Sequence, residues 1–192
     1  MATRYWVGGT GNWDATTTNW SATSGGAGGA SVPTAADDVV FDTLSNATAY
    51  VVTLTTAPTC RSVTIAGPAV GNVTIAGNTP WVIYGSFTLA ATGITWTFSN
   101  GLYFSAITTG WTITTNGLAL TCALQFQGAG GGWTLGGALT TTGFVSFLAG
   151  TFSTANFNLT TSGAMTATGS LVRTVNFGSS AISCLSWSAL AQ

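Results

Sequence analysis

From residue 63 onward the chain alternates apolar and small polar residues in short triplets, and the central residue of a triplet is most often threonine. Examples are Val63-Thr64-Ile65, Phe87-Thr88-Leu89 and Trp133-Thr134-Leu135. Alternation with a period of two residues is typical of a strand that is buried on one face. Glycine, asparagine or serine follows most triplets, and these residues favour tight turns. The pattern therefore predicts many short strands separated by turns.

The triplets recur at near-equal intervals, which predicts a tandem array. They occur in pairs, and six steps from Val63 to Leu185 cover 122 residues, or about 20 residues per unit. Similar triplets at such intervals can stack in register, so that each coil buries its inward side chains on the next coil. We predict an all-β fold, a parallel β-solenoid (β-helix) of six to seven coils with triplet ends inside and triplet centres outside. An antiparallel β-sandwich is the alternative. In the solenoid, Trp111, Trp133 and Phe157 are expected in the core.

The charged residues divide the chain into two parts. All four aspartates and Arg4 lie within the first 42 residues, whereas only Arg61 and Arg173 follow. We predict an N-terminal cap over residues 1–49 and a solenoid repeat region over residues 50–192, within a single domain overall. Threonine, serine, asparagine or glycine interrupts every apolar stretch, so no run approaches the ~20 apolar residues of a membrane-spanning helix. No membrane insertion is expected.

The composition argues against catalysis and against nucleic-acid binding. The chain has no histidine, lysine or glutamate, and its formal net charge is −1. Acid–base catalysis uses groups that exchange protons near neutral pH, usually histidine, lysine or a tuned carboxylate. Three arginines cannot build a phosphate-neutralising surface. We therefore expect a protein that is not an enzyme, with no catalytic residues, no cofactor and no nucleic-acid partner.

The three cysteines are expected to be reduced and packed inside the fold. Cys60, Cys122 and Cys184 are an odd number, which leaves at least one thiol unpaired. Their spacing lacks the close cysteine pairs of a zinc site, and no histidine is present to complete one. Metal binding through sulfur is not expected.

Four aspartates are the candidates for a metal site through oxygen. Asp37, Asp38 and Asp42, together with Asp14, could offer carboxylates to Ca²⁺. The spacing matches neither an EF-hand nor a nonapeptide calcium repeat. The other interpretation is that these aspartates cap turns and strand starts, and we favour it.

Four tryptophans are the candidates for stacking on sugar rings. Trp6, Trp13 and Trp20 recur every seven residues, and Trp81 lies further along the chain. Aromatic faces can serve as platforms for glycans. The other interpretation, which we favour, is that the tryptophans close the end of the solenoid, where apolar side chains and strand edges would otherwise be exposed.

A motif at the head of the chain resembles a known group of proteins. It contains, in order, Trp6-Val7-Gly8, Gly11-Asn12-Trp13, Asn19-Trp20-Ser21, Pro33 and Asp37-Asp38-Val39-Val40-Phe41. This arrangement resembles the opening motif of bacterial autotransporter-like and other β-helical surface proteins, and similar openings occur in proteins encoded by bacteriophages. The resemblance implies a β-helix at a cell or particle surface, and it implies no active site.

The expected function is that of a non-enzymatic structural protein of a bacteriophage virion, such as a capsid decoration, fibre or spike component. No export signal is recognised behind Met1, which favours a virion protein assembled in the host cytoplasm with other virion proteins as partners. The alternatives are a bacterial surface adhesin or self-assembling extracellular fibre at the cell surface, and a carbohydrate-binding module that contacts host surface glycans.

Self-association is expected from the two ends of the chain. The N-terminal part is charged and rich in tryptophan, whereas residues 181–192 contain no charged side chain. Solenoids need polar caps, because an uncovered coil offers apolar side chains and unpaired strand edges. Leu185, Trp187 and Leu190 are the candidate assembly contacts. The expected assembly is a homo-oligomer, either a trimer or a filament.

Overall fold

The computed structural model describes residues 1–189, and it shows a parallel β-solenoid of about seven turns. Each coil stacks on the next, and after the long first coil the residues that face each other in neighbouring coils lie 19 to 26 positions apart along the chain. This confirms the predicted solenoid. The antiparallel sandwich is wrong, because among the described residues only the strands Thr3–Trp6 and Trp20–Ser21 pair antiparallel.

The strands are short, as the triplets predict. In chain order they are β1 (Thr3–Trp6), β2 (Gly11–Trp13), β3 (Trp20–Ser21), β4 (Asp38–Phe41), β5 (Tyr50–Leu54), β6 (Thr59–Cys60), β7 (Val63–Ile65), β8 (Val73–Gly77), β9 (Trp81–Ile83), β10 (Phe87–Leu89), β11 (Ile94–Trp96), β12 (Gly101–Phe104), β13 (Trp111–Thr114), β14 (Ala123–Phe126), β15 (Gly132–Leu135), β16 (Leu139–Thr141), β17 (Val145–Phe147), β18 (Gly150–Ser153), β19 (Leu159–Thr161), β20 (Ala164–Ala167), β21 (Arg173–Asn176), β22 (Ile182–Ser183) and β23 (Ser186–Ala189). One 3₁₀ turn lies at Thr17–Asn19.

The strands form three faces of the solenoid, and most coils contribute one strand to each face. Face A is the nine-stranded sheet β3-β1-β4-β7-β10-β13-β15-β18-β21. Face B consists of two shorter sheets, β2-β5-β8-β11 and β16-β19-β22, and Leu120 pairs with Thr141 in the coil between them. Face C is the seven-stranded sheet β6-β9-β12-β14-β17-β20-β23.

The alternation along each strand sets the core. In β7, Val63 and Ile65 are buried and Thr64 is exposed, as predicted for triplet ends and centres. The inward side chains of successive coils stack into rows. On face C the ring of Phe126 lies 5.0 Å from that of Phe104 and 5.4 Å from that of Phe147, with interplanar angles of 11° and 15°. Offset stacking of this kind adds to the stabilisation that burial provides.

The structure has three strands per coil where the triplets indicate units of two. The additional strands include β9 and β16, and triplets that look equivalent in sequence lie on different faces. Trp96 lies on face B, whereas Trp111 and Trp133 lie on face A. The reason is that a period of two shows which residues point inward but carries no information about which face a strand joins.

The structure buries only one of the three predicted core residues completely. Trp133 is 1% exposed, as expected, whereas Trp111 is only partly buried at the margin of the core. The prediction for Phe157 is wrong, because its side chain is 42% exposed. Ala155 and Asn156 adopt positive φ angles of 50° and 70° just before it. Phe157 belongs to this turn, since its N–H donates to the carbonyl oxygen of Thr154 at 2.9 Å. Strand β19 begins only at Leu159, so only the second end of the triplet points inward.

The first 49 residues contribute strands β1 to β4 to the same sheets. The first coil is long, since Gly11 stacks on Val52, 41 positions later. Its tryptophans pack edge to face, with ring centroids 5.1 Å apart for Trp6 and Trp20 and 4.9 Å apart for Trp13 and Trp20. The antiparallel strand β3 covers the outer edge of β1 and ends face A.

Threonine and glycine define the corner between faces B and C. The hydroxyls of Thr141 and Thr161 each donate to a carbonyl of the preceding coil, at 2.5 Å from the carbonyl oxygen of Cys122 in the first case. A Cβ atom at Gly143 would lie 2.4 Å from backbone atoms of the coil below. No other residue fits so close an approach, so glycine at this corner allows the coils to stack at strand spacing.

We expect Trp133→Ala to lower the free energy of unfolding by about 3–5 kcal/mol, because it deletes a large buried side chain. The substitution also removes the indole N–H that donates to the carbonyl oxygen of Gly85 at 3.1 Å. Phe157→Ala is the matched control, and its cost should stay below about 1 kcal/mol because the ring is largely exposed. Chemical denaturation followed by tryptophan fluorescence and circular dichroism checks both values. Equal losses in the two variants would contradict the assigned core.

Candidate functional site

The aspartates of the first coil hold loops in place. The Asp37 carboxylate accepts hydrogen bonds from the backbone N–H of Ala2 at 2.9 Å and from the N–H and hydroxyl of Thr34 at 3.1 and 2.8 Å. The Asp38 carboxylate forms a two-point ion pair with Arg61. Both aspartates therefore have structural partners within the protein.

The remaining two aspartates also cap turns. Asp42 accepts from the hydroxyl of Ser24 at 2.7 Å and from the N–H of Leu44 at 2.9 Å, and Asp14 accepts from the N–H of Thr16 at 2.7 Å. The structure does not bring Asp37, Asp38 and Asp42 together as a calcium site. Within residues 1–189, no cluster of three or more histidine, cysteine, aspartate or glutamate side chains could hold a metal ion.

Two carboxyl groups in this part of the chain are more acidic than usual. The hydroxyl and N–H of Thr16 lower the pKa of Asp14. For Asp37, burial acts to raise the pKa, but the hydrogen bonds from Thr34 and Ala2 outweigh it and lower the pKa below its ordinary value of 3.8. The ionised form of Asp37 therefore stabilises the fold.

We expect Asp37→Asn to lower the free energy of unfolding at pH 7 by roughly 1–3 kcal/mol, because charge-assisted hydrogen bonds are lost. A lowered pKa in the folded state gives stability that is complete above 3.8 and is lost as the pH falls through the folded value. The difference between wild type and variant should therefore shrink below pH 4. Denaturation curves from pH 2.5 to 7 measure it, and a difference that grows on acidification would contradict the assignment.

The candidate glycan tryptophans are core residues. Trp6, Trp13, Trp20 and Trp81 are each 0–1% exposed. Trp13 packs edge to face on Trp81, with ring centroids 5.2 Å apart, and the Trp6 indole N–H donates to the carbonyl oxygen of Gly9 at 2.9 Å. Since no ring face is open to a ligand, the glycan interpretation of these residues is wrong. They close the N-terminal end of the solenoid interior.

All three cysteines carry free thiols, and burial makes two of these thiols unreactive. Burial raises the pKa of Cys60 to about 12, against a smaller lowering by the indole of Trp81, and burial likewise raises the pKa of Cys122 to about 12. The thiolate is the reactive form of cysteine, and neither group forms it near neutral pH. Cys184 is only partly buried.

We expect Cys60 and Cys122 to resist alkylation in the folded protein at pH 8, since they are buried and protonated, and to react once the chain is unfolded in denaturant. Cys184→Ser is the informative variant, because the folded form should then take up no label on the minute timescale. Mass spectrometry counts the labelled thiols. Rapid labelling of the folded Cys184→Ser protein would show that the coils open at Cys60 or Cys122.

The last described coil exposes apolar side chains. Leu185 is 78% exposed and Trp187 is 45% exposed, although the Trp187 ring still packs 5.7 Å from that of Phe177. Val172, in the turn before β21, is 81% exposed. The third predicted assembly contact, Leu190, lies outside the described residues. Val172 lies between faces C and A, whereas Leu185 lies between faces B and C. We call Leu185 and Trp187 the terminal apolar patch.

A shallow groove of about 240 Å³ lies on face C near its corner with face B. We call it the Tyr103–Phe144 groove, after the two aromatic residues among those that line it: Asn78, Ser99, Asn100, Gly101, Tyr103, Ala123, Gln125 and Phe144. Sequence reasoning missed this groove, although a signal was present. Tyr103 occupies a triplet centre, where threonine is usual, and Phe144 occupies the outward position before Val145.

A second depression, of about 320 Å³, lies between the cap and the next coil, where Trp13, Val32, Pro33 and Pro58 line it. Its one charged side chain, Asp14, is held by Thr16. Trp13 presents almost no surface there. This depression offers few groups to a ligand.

Comparison with known proteins gives no relatives. No family model, curated protein or solved structure matches this chain. No helix among residues 1–189 is long and apolar enough to cross a membrane. The functional assignment therefore depends on the geometry and chemistry of the solenoid itself.

Proposed function

We propose that the protein is a non-enzymatic structural component of a bacteriophage virion, in a decoration, fibre or spike. The observation that carries the proposal is the terminal apolar patch at the open edge of a solenoid. The outermost strands there are β21, β22 and β23, and no other described strand covers them. Unpaired N–H and C=O groups beside exposed leucine and tryptophan favour association with a similar edge.

The flanks of the solenoid suit a protein packed among other proteins. Beyond Asp42, the only charged side chains are Arg61 and Arg173. Arg61 is paired with Asp38, and Arg173 donates to backbone carbonyls at 2.7–3.1 Å. Since charge repulsion is what normally keeps surfaces apart, nearly neutral flanks favour close packing. The resemblance of the head motif to β-helical surface and phage proteins supports the same role.

The two ends differ in a way that favours a closed assembly. At the N-terminal end, β3 runs antiparallel along the edge of face A, and Trp6, Trp13 and Trp20 are buried. The edge strand of face A at this end, β3, runs antiparallel to its neighbour β1, so a coil of another copy stacked there would not continue the parallel sheet. Two terminal apolar patches can meet around a twofold axis, because an isologous contact joins identical surfaces. We therefore propose a tail-to-tail pair of copies as the building unit.

We expect the wild-type protein to sediment as a dimer at micromolar concentration, and the double variant Leu185→Ser/Trp187→Ser to sediment as a monomer, because the apolar contact is removed. Ile107→Ser is the matched control, since Ile107 is 77% exposed but lies outside the last coil. Sedimentation velocity measures the mass, and circular dichroism confirms that each variant is folded. A monomeric wild type, or an unchanged double variant, would overturn the proposed contact.

The virion assignment needs a test of its own. Proteomics of particles purified by density gradient from the phage that encodes the chain should detect it in stoichiometric amounts with capsid or tail proteins. Its presence on bacterial surfaces and absence from particles would instead identify the adhesin. Genes for capsid, portal or tail proteins beside its own gene would agree with the first outcome.

A further inference from the structure

We propose that the Tyr103–Phe144 groove binds a neutral saccharide, with its two aromatic rings contacting the sugar and its amide side chains hydrogen-bonding the hydroxyls. The groove lies on the flank of the solenoid, and its wall residue Phe144 is two coils from Leu185. The proposal therefore goes beyond the structural role, and either can fail without the other.

The register of face C brings the groove residues together. Gly101 stacks on Ala123 and Tyr103 on Gln125 in the next coil, and Ala123 in turn lies opposite Phe144. Gly101 and Phe144 thus lie two strand spacings apart, and Tyr103 lies two residues further along its strand, so the backbones of Tyr103 and Phe144 are roughly 12 Å apart. Between the two rings the floor is the small side chain of Ala123, since Gly101 is itself buried beneath the Tyr103 ring. Large walls with a small floor make a slot that is open to solvent.

Glycine at position 101 shapes one wall of the slot. A Cβ atom there would lie 2.8 Å from the Tyr103 ring, which shows that the ring lies over the Gly101 backbone. On the opposite side, the Phe144 ring is 44% exposed. An exposed phenylalanine beside a concave, small-residue floor is the kind of apolar surface that marks a binding site.

The polar groups of the groove match a ligand rich in hydroxyls. Asn100 is held in place, since its amide donates to the carbonyl oxygen of Asn78 at 3.0 Å and its side-chain oxygen accepts from the N–H of Gly101 at 2.8 Å. Among the described residues, the Tyr103 hydroxyl and the Gln125 amide have no hydrogen-bond partner. An amide both donates and accepts, as a sugar hydroxyl does.

The absence of charge in this lining selects the class of ligand. None of the residues that line the groove is an aspartate, glutamate, lysine, arginine or histidine. A phosphate, a sulfated or sialylated glycan, or a cation would lose its hydration there without gaining an opposite charge. A neutral pyranose has apolar C–H faces for the rings and hydroxyl edges for Gln125 and Tyr103, so it satisfies both kinds of surface.

The test uses the full chain and a panel of immobilised neutral gluco-, galacto- and manno-oligosaccharides, with sialylated and sulfated oligosaccharides as charged comparators. We expect at least one neutral oligosaccharide to bind and the charged ones to bind more weakly. The affinity for that oligosaccharide is then measured by isothermal titration calorimetry on Tyr103→Ala, Phe144→Ala and Gln125→Ala. We expect at least a tenfold loss for each aromatic substitution.

Two further variants separate the groove from other causes. Ala123→Leu should abolish binding by filling the floor, although it removes no contacting group. Phe157→Ala removes another exposed ring, 42% exposed, from a different corner and should leave binding unchanged. Thermal melts by circular dichroism should stay close to wild type for every variant, since all these side chains face outward.

Three outcomes would overturn the proposal. The first is no binding of any neutral oligosaccharide at millimolar concentration. The second is binding that survives in both Tyr103→Ala and Phe144→Ala. The third is a change of sedimentation mass in Phe144→Ala, which would identify the groove as a contact between protein chains. Loss of the dimer in Leu185→Ser/Trp187→Ser with saccharide affinity intact would leave the groove assignment standing.

Discussion

Stacking of coils in register is the constraint on which this structure depends. Each coil has an inward row of apolar side chains that it cannot cover by itself, so the coil above and the coil below must supply the cover. The row Phe104, Phe126 and Phe147 shows the result, with nearly parallel rings about one strand spacing apart. The same constraint applies to the first described coil, whose outer side no other described coil covers. The tryptophans Trp6, Trp13 and Trp20 meet that need at the N-terminal end.

The unusual composition follows from this stacking. Strand spacing leaves no room for bulky groups at the corners, so glycine occupies positions such as Gly143, and threonine hydroxyls bond to carbonyls of the preceding coil. Outward residues stand close above one another along each face, and like charges directly opposite one another would be destabilising. Threonine and serine avoid that penalty and favour strands. The scarcity of charge is therefore a consequence of the repeat.

The sequence predicts which side chains of a strand point into the core and which point outward. It does not predict which residues of neighbouring coils face each other. The alternation correctly predicts buried Val63 and Ile65 around exposed Thr64. It fails at Phe157, because the left-handed turn at Ala155 and Asn156 extends to Phe157 and the strand begins only at Leu159; alternation alone does not show where a turn ends. The Tyr103–Phe144 groove could not be predicted for another reason. Its two aromatic residues come from different coils, and which residues face each other depends on the coil length, which varies from 19 to 26 residues after the first coil.

Function in such a fold is carried by the positions that stacking leaves free. Inward residues are fixed by the row above and below, and corner residues by the close approach of the backbone. Outward positions are free of both constraints, and in most strands a small residue with a hydroxyl group occupies them. At Tyr103 and Gln125 on face C the outward residue is larger than threonine or serine, and the stacking of coils does not require these larger side chains. A large aromatic group kept in contact with water costs hydrophobic free energy that threonine would avoid, and the saccharide that we propose for the groove would offset this cost by covering the ring.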